Sequence, residues 1–92
     1  MLYKVGRVVG IAKDGLILVK AMVQGPDRLI GLAVFDYSMR RIGKVSDVIG
    51  PVSSPYILVK PQQRIGGESL INIDVYVRRV DYERALRGVR HE

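Results

Sequence analysis

Polar and apolar positions alternate along most of the chain in short runs, and Gly or Pro interrupts them every eight to twelve residues or so, the rhythm of a small all-β barrel or sandwich. A first strand over residues 3–13 puts Tyr3, Val5, Val9 and Ile11 on one face, which Arg7 interrupts, and Gly6 and Gly10 on the other, where they permit coiling. Asp14-Gly15 is a tight-turn signal and Leu16-Ile17-Leu18-Val19-Lys20 an apolar return strand, so residues 3–22 read as a hairpin. Gln24-Gly25-Pro26-Asp27 then punctuates the chain before an extended segment over 29–37, in which Phe35 and Tyr37 face away from Asp36. A strand over 41–49 ends at Gly50-Pro51, crosses Val52-Ser53-Ser54 and returns over 55–60, where Pro61 stops it. After a polar link over 62–68, residues 70–77 alternate cleanly, with Ile71, Ile73, Val75 and Val77 inward and Asn72, Asp74 and Tyr76 on the other face. Helical spacing occurs only at the end. Asp81 can cap a helix over about 81–90 whose stripe is Tyr82, Ala85, Leu86 and Val89, with Gly88 weakening its last turn. That stripe either docks on the barrel or is offered to a partner.

The chain echoes itself. Val5-Gly6-Arg7-Val8 followed by Ile17-Leu18-Val19-Lys20 returns as Ile42-Gly43-Lys44-Val45 followed by Ile57-Leu58-Val59-Lys60, the second copy being three residues longer between its halves. Two related hairpins predict a pseudo-twofold barrel, because closing such units on each other removes exposed strand edges. The extra residues fall in the stretch 50–55, and a loop elaborated on a rigid duplicated scaffold is a natural place for function.

Ninety-two residues make one domain, with a barrel core over 3–77 and the helix appended. At this size folding hides only about 60–65% of the surface of the unfolded chain, which favours a closed architecture. Fifteen Lys and Arg against nine Asp and Glu give a net charge of +6, which draws the chain toward acidic partners or polyanions. Cysteine is absent and the lone histidine is His91, so disulfides and thiolate metal sites are excluded and no metal or other cofactor is expected. No apolar run reaches the roughly 18–20 residues of a membrane span, and residues 1–7 lack the layout of a signal peptide; the expectation is a cytoplasmic protein without membrane contact.

Catalysis needs convergent groups, and none is legible. Ser38, Ser46, Ser53, Ser54 and Ser69 have no histidine beside them except terminal His91, and Gly66-Gly67 is too slight to cradle a phosphate. The expectation is that the chain is not an enzyme. Nucleic-acid binding draws on Phe35, Tyr37 and Tyr76 as stacking surfaces beside Arg40 and Arg41, and on the basic C-terminal residues Arg78, Arg79, Arg84, Arg87 and Arg90 as an RNA-proximal face; core or rim aromatics and a solvated basic face are the plainer alternatives. The most informative segment is Gly50-Pro51-Val52-Ser53-Ser54-Pro55-Tyr56. Its two prolines restrict the unfolded chain and pre-shape the loop, which presents Val52 and Tyr56 between Lys44 and Lys60. Such a loop suits protein recognition, or else it is a Pro-rich turn tucked onto the barrel.

At this loop the sequence resembles a known family, the Gar-one subunit of box H/ACA ribonucleoproteins in its short archaeal form. The residues that carry the resemblance are Gly6, Val8, Ala12, Lys13, Gly15, Leu18 and Val19, then Val34, Asp36, Ile42-Gly43-Lys44-Val45, Asp47-Val48, Gly50-Pro51-Val52, Pro55-Tyr56 and Lys60-Pro61. The resemblance covers about residues 3–77; the C-terminal piece matches poorly, and the Arg-Gly-Gly tails of the eukaryotic relatives are missing. The resemblance implies a split β-barrel of about six strands like the second domain of translation elongation factors. It also implies a non-catalytic subunit that binds the guide-dependent pseudouridine synthase directly, meets guide RNA and substrate rRNA only within the complex, and assists substrate loading and product release. On that reading Gly50, Pro51, Val52, Pro55 and Tyr56 form the centre of the protein interface, with Lys44, Lys60 and Pro61 at its rim. Residues 34–48 also resemble the PRC-type barrel of a ribosome maturation factor, which leaves Gly-Pro-Val and Pro-Tyr unexplained, and a stand-alone RNA-binding barrel is the third reading.

Overall fold

The apolar runs fold as six antiparallel strands, β1 (Leu2–Ile11), β2 (Ile17–Ala21), β3 (Ala33–Phe35), β4 (Arg41–Ile49), β5 (Tyr56–Pro61) and β6 (Asp74–Arg78), followed by one helix, α1 (Arg79–Leu86). These come from a computed structural model that describes residues 1–62 and 67–87. The strands close into a barrel in the order β1-β2-β5-β4-β3-β6, so each has a hydrogen-bonded neighbour on both sides. Closure leaves no sheet edge for another chain to extend.

The duplication runs through the whole barrel. In the first hairpin Gly6 pairs with Ala21, Arg7 with Lys20 and Val8 with Val19, then a bulge brings Gly10 opposite Leu18. The second repeats this register with Gly43 and Pro61, Lys44 and Lys60, Val45 and Val59, and a bulge before Asp47 and Leu58. The hairpins meet through β2 and β5 with Leu18 opposite Leu58, Ile17 opposite Val59 and Val19 opposite Ile57, the pairing a local twofold axis requires. At the other seam Phe35 faces Tyr76, again two equivalent positions. Each crossover contains a 3-10 turn, Pro26–Leu29 and Gly67–Leu70, which seats Leu29 or Leu70 in the core. A residue with positive φ follows each turn, Gly31 at 94° and Asn72 at 73°. Their N–H groups donate to the carbonyls of Val45 and Val8, whose own N–H groups donate to Leu32 and Ile73.

The core follows the same symmetry. Val5 and Ile42, Val8 and Val45, Ile17 and Ile57, Val19 and Val59, Leu29 and Leu70, and Val34 and Val75 are buried as equivalent pairs, with Val77 added. Gly6 and Gly43 are fixed by close approach. A Cβ on Gly6 would run into the Lys20 carbonyl and lie 2.6 Å from Val19 Cγ1, and one on Gly43 would run into the Lys60 carbonyl and lie 2.9 Å from the Pro61 Cα.

Several expectations are corrected. The inward face of β1 is Val5 and Val8, not Tyr3, Val5, Val9 and Ile11, because bulges after Lys4 and after Val8 shift the alternation twice. The segment 29–37 keeps only three strand residues. The clean alternation over 70–77 is not one strand: Asn72 turns left-handed, Ile71 is exposed, and β6 begins at Asp74. Helix α1 starts at Arg79 with Arg78 at its N-cap, and Asp81 sits in the first turn with no side-chain cap. There Asp81 pairs with Arg78 at 2.9 Å. The helix docks through Tyr82, whose ring stacks on Tyr3 with centroids 4.3 Å apart and planes at 19°. Leu86 is exposed, and Val89, Arg90 and His91 lie outside the described residues, as do Gly66 and most of the polar link.

Candidate docking loop and basic surfaces

The loop between β4 and β5 is built to hold one shape. Gly50 leaves β4 at φ 92°, Pro51 fixes the next φ, and the Ser54 N–H donates to the Pro51 carbonyl at 3.0 Å, closing a turn. The Pro55 carbonyl accepts from the Ala21 N–H at 3.2 Å, which ties the return of the loop to the end of β2. Tyr56 is half-buried with its ring over Gly50, where a Cβ would lie 3.4 Å from Tyr56 Cδ1. At the crest Val52 is 99% exposed. Beside it an open groove of about 600 Å³ runs between this loop and the connection after β2, lined among others by Met22, Val23, Pro26, Val52 and Pro55. Ile49 and Met22 add exposed apolar surface.

Lys44, Lys60 and Pro61, expected at the rim of this loop, lie elsewhere. Lys44 faces Lys60 and Gly43 faces Pro61, whereas the loop follows the pair Ile49 and Tyr56 at the other end of the ladder. Five residues of strand separate the two ends, roughly 16 Å. These residues line a second, shallow depression of about 180 Å³ with Arg41, Gly43 and Gln62. The predicted site therefore divides into an apolar loop with its groove and a basic depression.

The C-terminal arginines divide as well. Arg78 is paired with Asp81, and Arg79 with Glu83 at 3.1 Å, whereas Arg84 and Arg87 have no ion pair among the described residues. Of the proposed stacking aromatics, Phe35 and Tyr76 are half-buried at the barrel seam. Tyr37 is 80% exposed, on a turn that sequence reasoning did not single out as rigid. Its hub is Asp36, whose Oδ1 accepts from the Ser38 N–H at 2.9 Å, the Ser38 hydroxyl at 2.6 Å and the Arg40 N–H at 3.0 Å. Burial works to raise the Asp36 pKa, but these hydrogen bonds and the nearby Arg40 charge together bring it below its ordinary value. The turn signal was present in Asp36-Tyr37-Ser38, since an Asx residue followed two places on by Ser commonly closes on its own backbone.

Among the described residues no cluster of three or more His, Cys, Asp or Glu could hold a metal ion, and no helix is long and apolar enough to cross a membrane. No family model matches the chain. A 43-residue stretch is 44% identical to an uncharacterized protein of Methanothermobacter thermautotrophicus and covers 47% of each chain, so the match spans about half of that relative's length.

Proposed function

We propose that the chain is a non-catalytic subunit of an H/ACA-type guide ribonucleoprotein, docking directly on the pseudouridine synthase and assisting substrate loading and product release during rRNA pseudouridylation. The observation that carries the reading is the loop over 50–55: an apolar side chain, Val52, stands fully exposed on a backbone held by Gly50, Pro51, the Ser54–Pro51 hydrogen bond and the Pro55 tie to β2. A lone exposed valine would mean little. Here it borders a groove in which Met22, Val23, Pro26 and Pro55 supply apolar surface beside the polar Gln24, Ser53 and Ser54, and a pre-shaped loop loses little entropy on binding. The same loop holds Gly50-Pro51-Val52 and Pro55-Tyr56, two of the motifs that carry the family resemblance. Guide RNA and substrate rRNA then enter through the complex, and the synthase supplies the reacting groups.

The test is a pull-down of the purified pseudouridine synthase with this chain as bait, in the presence and absence of guide RNA. Equal capture in both conditions is the expected result. Capture only with guide, or none in either condition, would contradict the reading.

A further inference from the structure

The two halves of the barrel treat equivalent cations differently. In the first half the bulge after Lys4 brings Lys4 and Arg7 to the same side of β1, and both converge on Asp74, Lys4 Nζ at 3.3 Å and Arg7 Nε at 2.9 Å. In the second half the corresponding bulge lies in β4 at Ile42, where the successive residues Val34 and Phe35 face Gly43 and Arg41. It brings Arg41 and Lys44, the equivalents of Lys4 and Arg7, to one side in the same way. The position equivalent to Asp74 is Ala33, which faces Lys44 as Asp74 faces Arg7. Lys60, cross-strand from Lys44, completes the set. Among the described residues none of Arg41, Lys44 and Lys60 has a carboxylate within ion-pair distance. The first half thus displays the geometry in which this arrangement holds an anion, and the second presents it to solvent around a shallow depression of about 180 Å³.

We infer that Arg41, Lys44 and Lys60 form a phosphate-binding site for single-stranded RNA. Three uncompensated cations around a shallow dip suit a phosphodiester backbone, which carries its charge along an extended line. Gly43, which lines the dip, has no side chain there to obstruct approach. The second element is Tyr37. It is 80% exposed on the turn that leads into β4, and the Asp36 hub holds that turn before any base arrives. An exposed tyrosine on a braced turn that runs into the strand carrying Arg41 and Lys44 supplies the second half of a single-strand grip, in which a base stacks on the ring while phosphates meet the charges. This goes beyond the docking role, because it gives the chain its own RNA contact at the other end of the β4–β5 ladder.

The experiment is fluorescence anisotropy of labelled oligouridylate titrated with the full chain, without synthase, over a range of KCl concentrations. Three phosphate contacts predict a log–log salt slope of about −2. Arg41→Gln, Lys44→Gln and Lys60→Gln should each reduce the slope by about 0.7 and the triple variant should abolish binding. Tyr37→Ala should weaken binding about tenfold at every salt concentration with the slope unchanged. The sharpest variant is Ala33→Asp, which copies Asp74 into the second half: it should suppress RNA binding while thermal melting confirms the fold, and the glutamine variants carry the test if it does not fold. Binding that survives the triple variant overturns the proposal. So does a polyglutamate peptide that binds as tightly as the oligonucleotide and loses affinity in the same variants, which assigns the cations to an acidic protein segment. Duplex RNA binding as well as the single strand, with no effect of Tyr37→Ala, overturns it too. Because synthase is absent throughout, each of these outcomes leaves the docking reading to stand or fall separately.

Discussion

Gly43→Ala should destabilise the barrel although it adds one methyl group to an ordinary strand backbone. The new Cβ would meet the Lys60 carbonyl and the Pro61 Cα, both backbone atoms fixed in the β4–β5 ladder, so no side chain can swing aside to make room. Overpacking of this kind costs about 1–3 kcal/mol, and a rigid backbone neighbour puts this site at the upper end. The smaller entropy of the unfolded alanine chain offsets about 0.4–1 kcal/mol. A net loss of about 2 kcal/mol corresponds to a fall in Tm of about 8–16 °C for a domain of this size. Gly10→Ala is the matched control. It lies in the same fold with nothing within 4 Å of its Cβ, and its equivalent in the second hairpin is Asp47, a residue with a side chain. Gly10→Ala should therefore be neutral or raise Tm by a few degrees. Differential scanning calorimetry of the two variants decides the matter: equal Tm losses, or a Gly43→Ala variant that melts no lower than the parent, would refute the close-approach argument and with it the structural basis of the repeat.

Three further outcomes follow from named contacts. The hydrogen bond from Arg7, with Lys4 beside it, holds Asp74 below the ordinary carboxylate range although desolvation acts in the opposite sense. The folded form therefore binds that proton more weakly than the unfolded chain, so the stabilisation is present above the unfolded-state pKa and is lost as pH falls through the folded one. Asp74→Asn should lower Tm at neutral pH and flatten the acid limb of the Tm–pH profile, the two curves converging in acid; parallel curves would contradict this. Tyr82→Ala removes the stack on Tyr3 and should cost about 1–2 kcal/mol, read as a lower chemical-denaturation midpoint and as faster amide exchange confined to α1. Tyr56→Ala should weaken synthase binding by about 1–3 kcal/mol if the half-buried ring is an anchor, whereas an equal loss of monomer stability would make it core instead.

Much of the fold was legible because the hairpins carry strong local signals. The span of β4 emerged as read, Asp14-Gly15 turns the first hairpin with Gly15 at φ 89°, and the Val-Gly-Arg-Val and Ile-Gly-Lys-Val echo is the conserved register of two equivalent ladders. The crossovers were not legible for a physical reason. Leu29-Ile30-Gly31-Leu32 and Leu70-Ile71-Asn72-Ile73 are the same turn, yet one uses Gly and the other Asn to reach positive φ, and the apolar alternation around Asn72 imitates a strand. The face of β1 was misread because bulges are invisible to a period-two count. The candidate site was half legible. The Pro-braced loop stood out by composition, but the distance of Lys44 and Lys60 from it depends on their register near the other end of the hairpin, and the uncompensated charge there shows only when Ala33 is set against Asp74 across the pseudo-twofold axis.

The most direct test of the docking account is a calorimetric titration of the pseudouridine synthase, free of guide RNA, with the parent chain and with Val52→Asp. Val52 is fully exposed in the isolated chain, so the substitution leaves the fold and its Tm unchanged, while a carboxylate placed in an apolar contact should weaken binding at least tenfold. Undiminished affinity of Val52→Asp, with the parent chain binding well, would show that the synthase grips another face and would contradict the account.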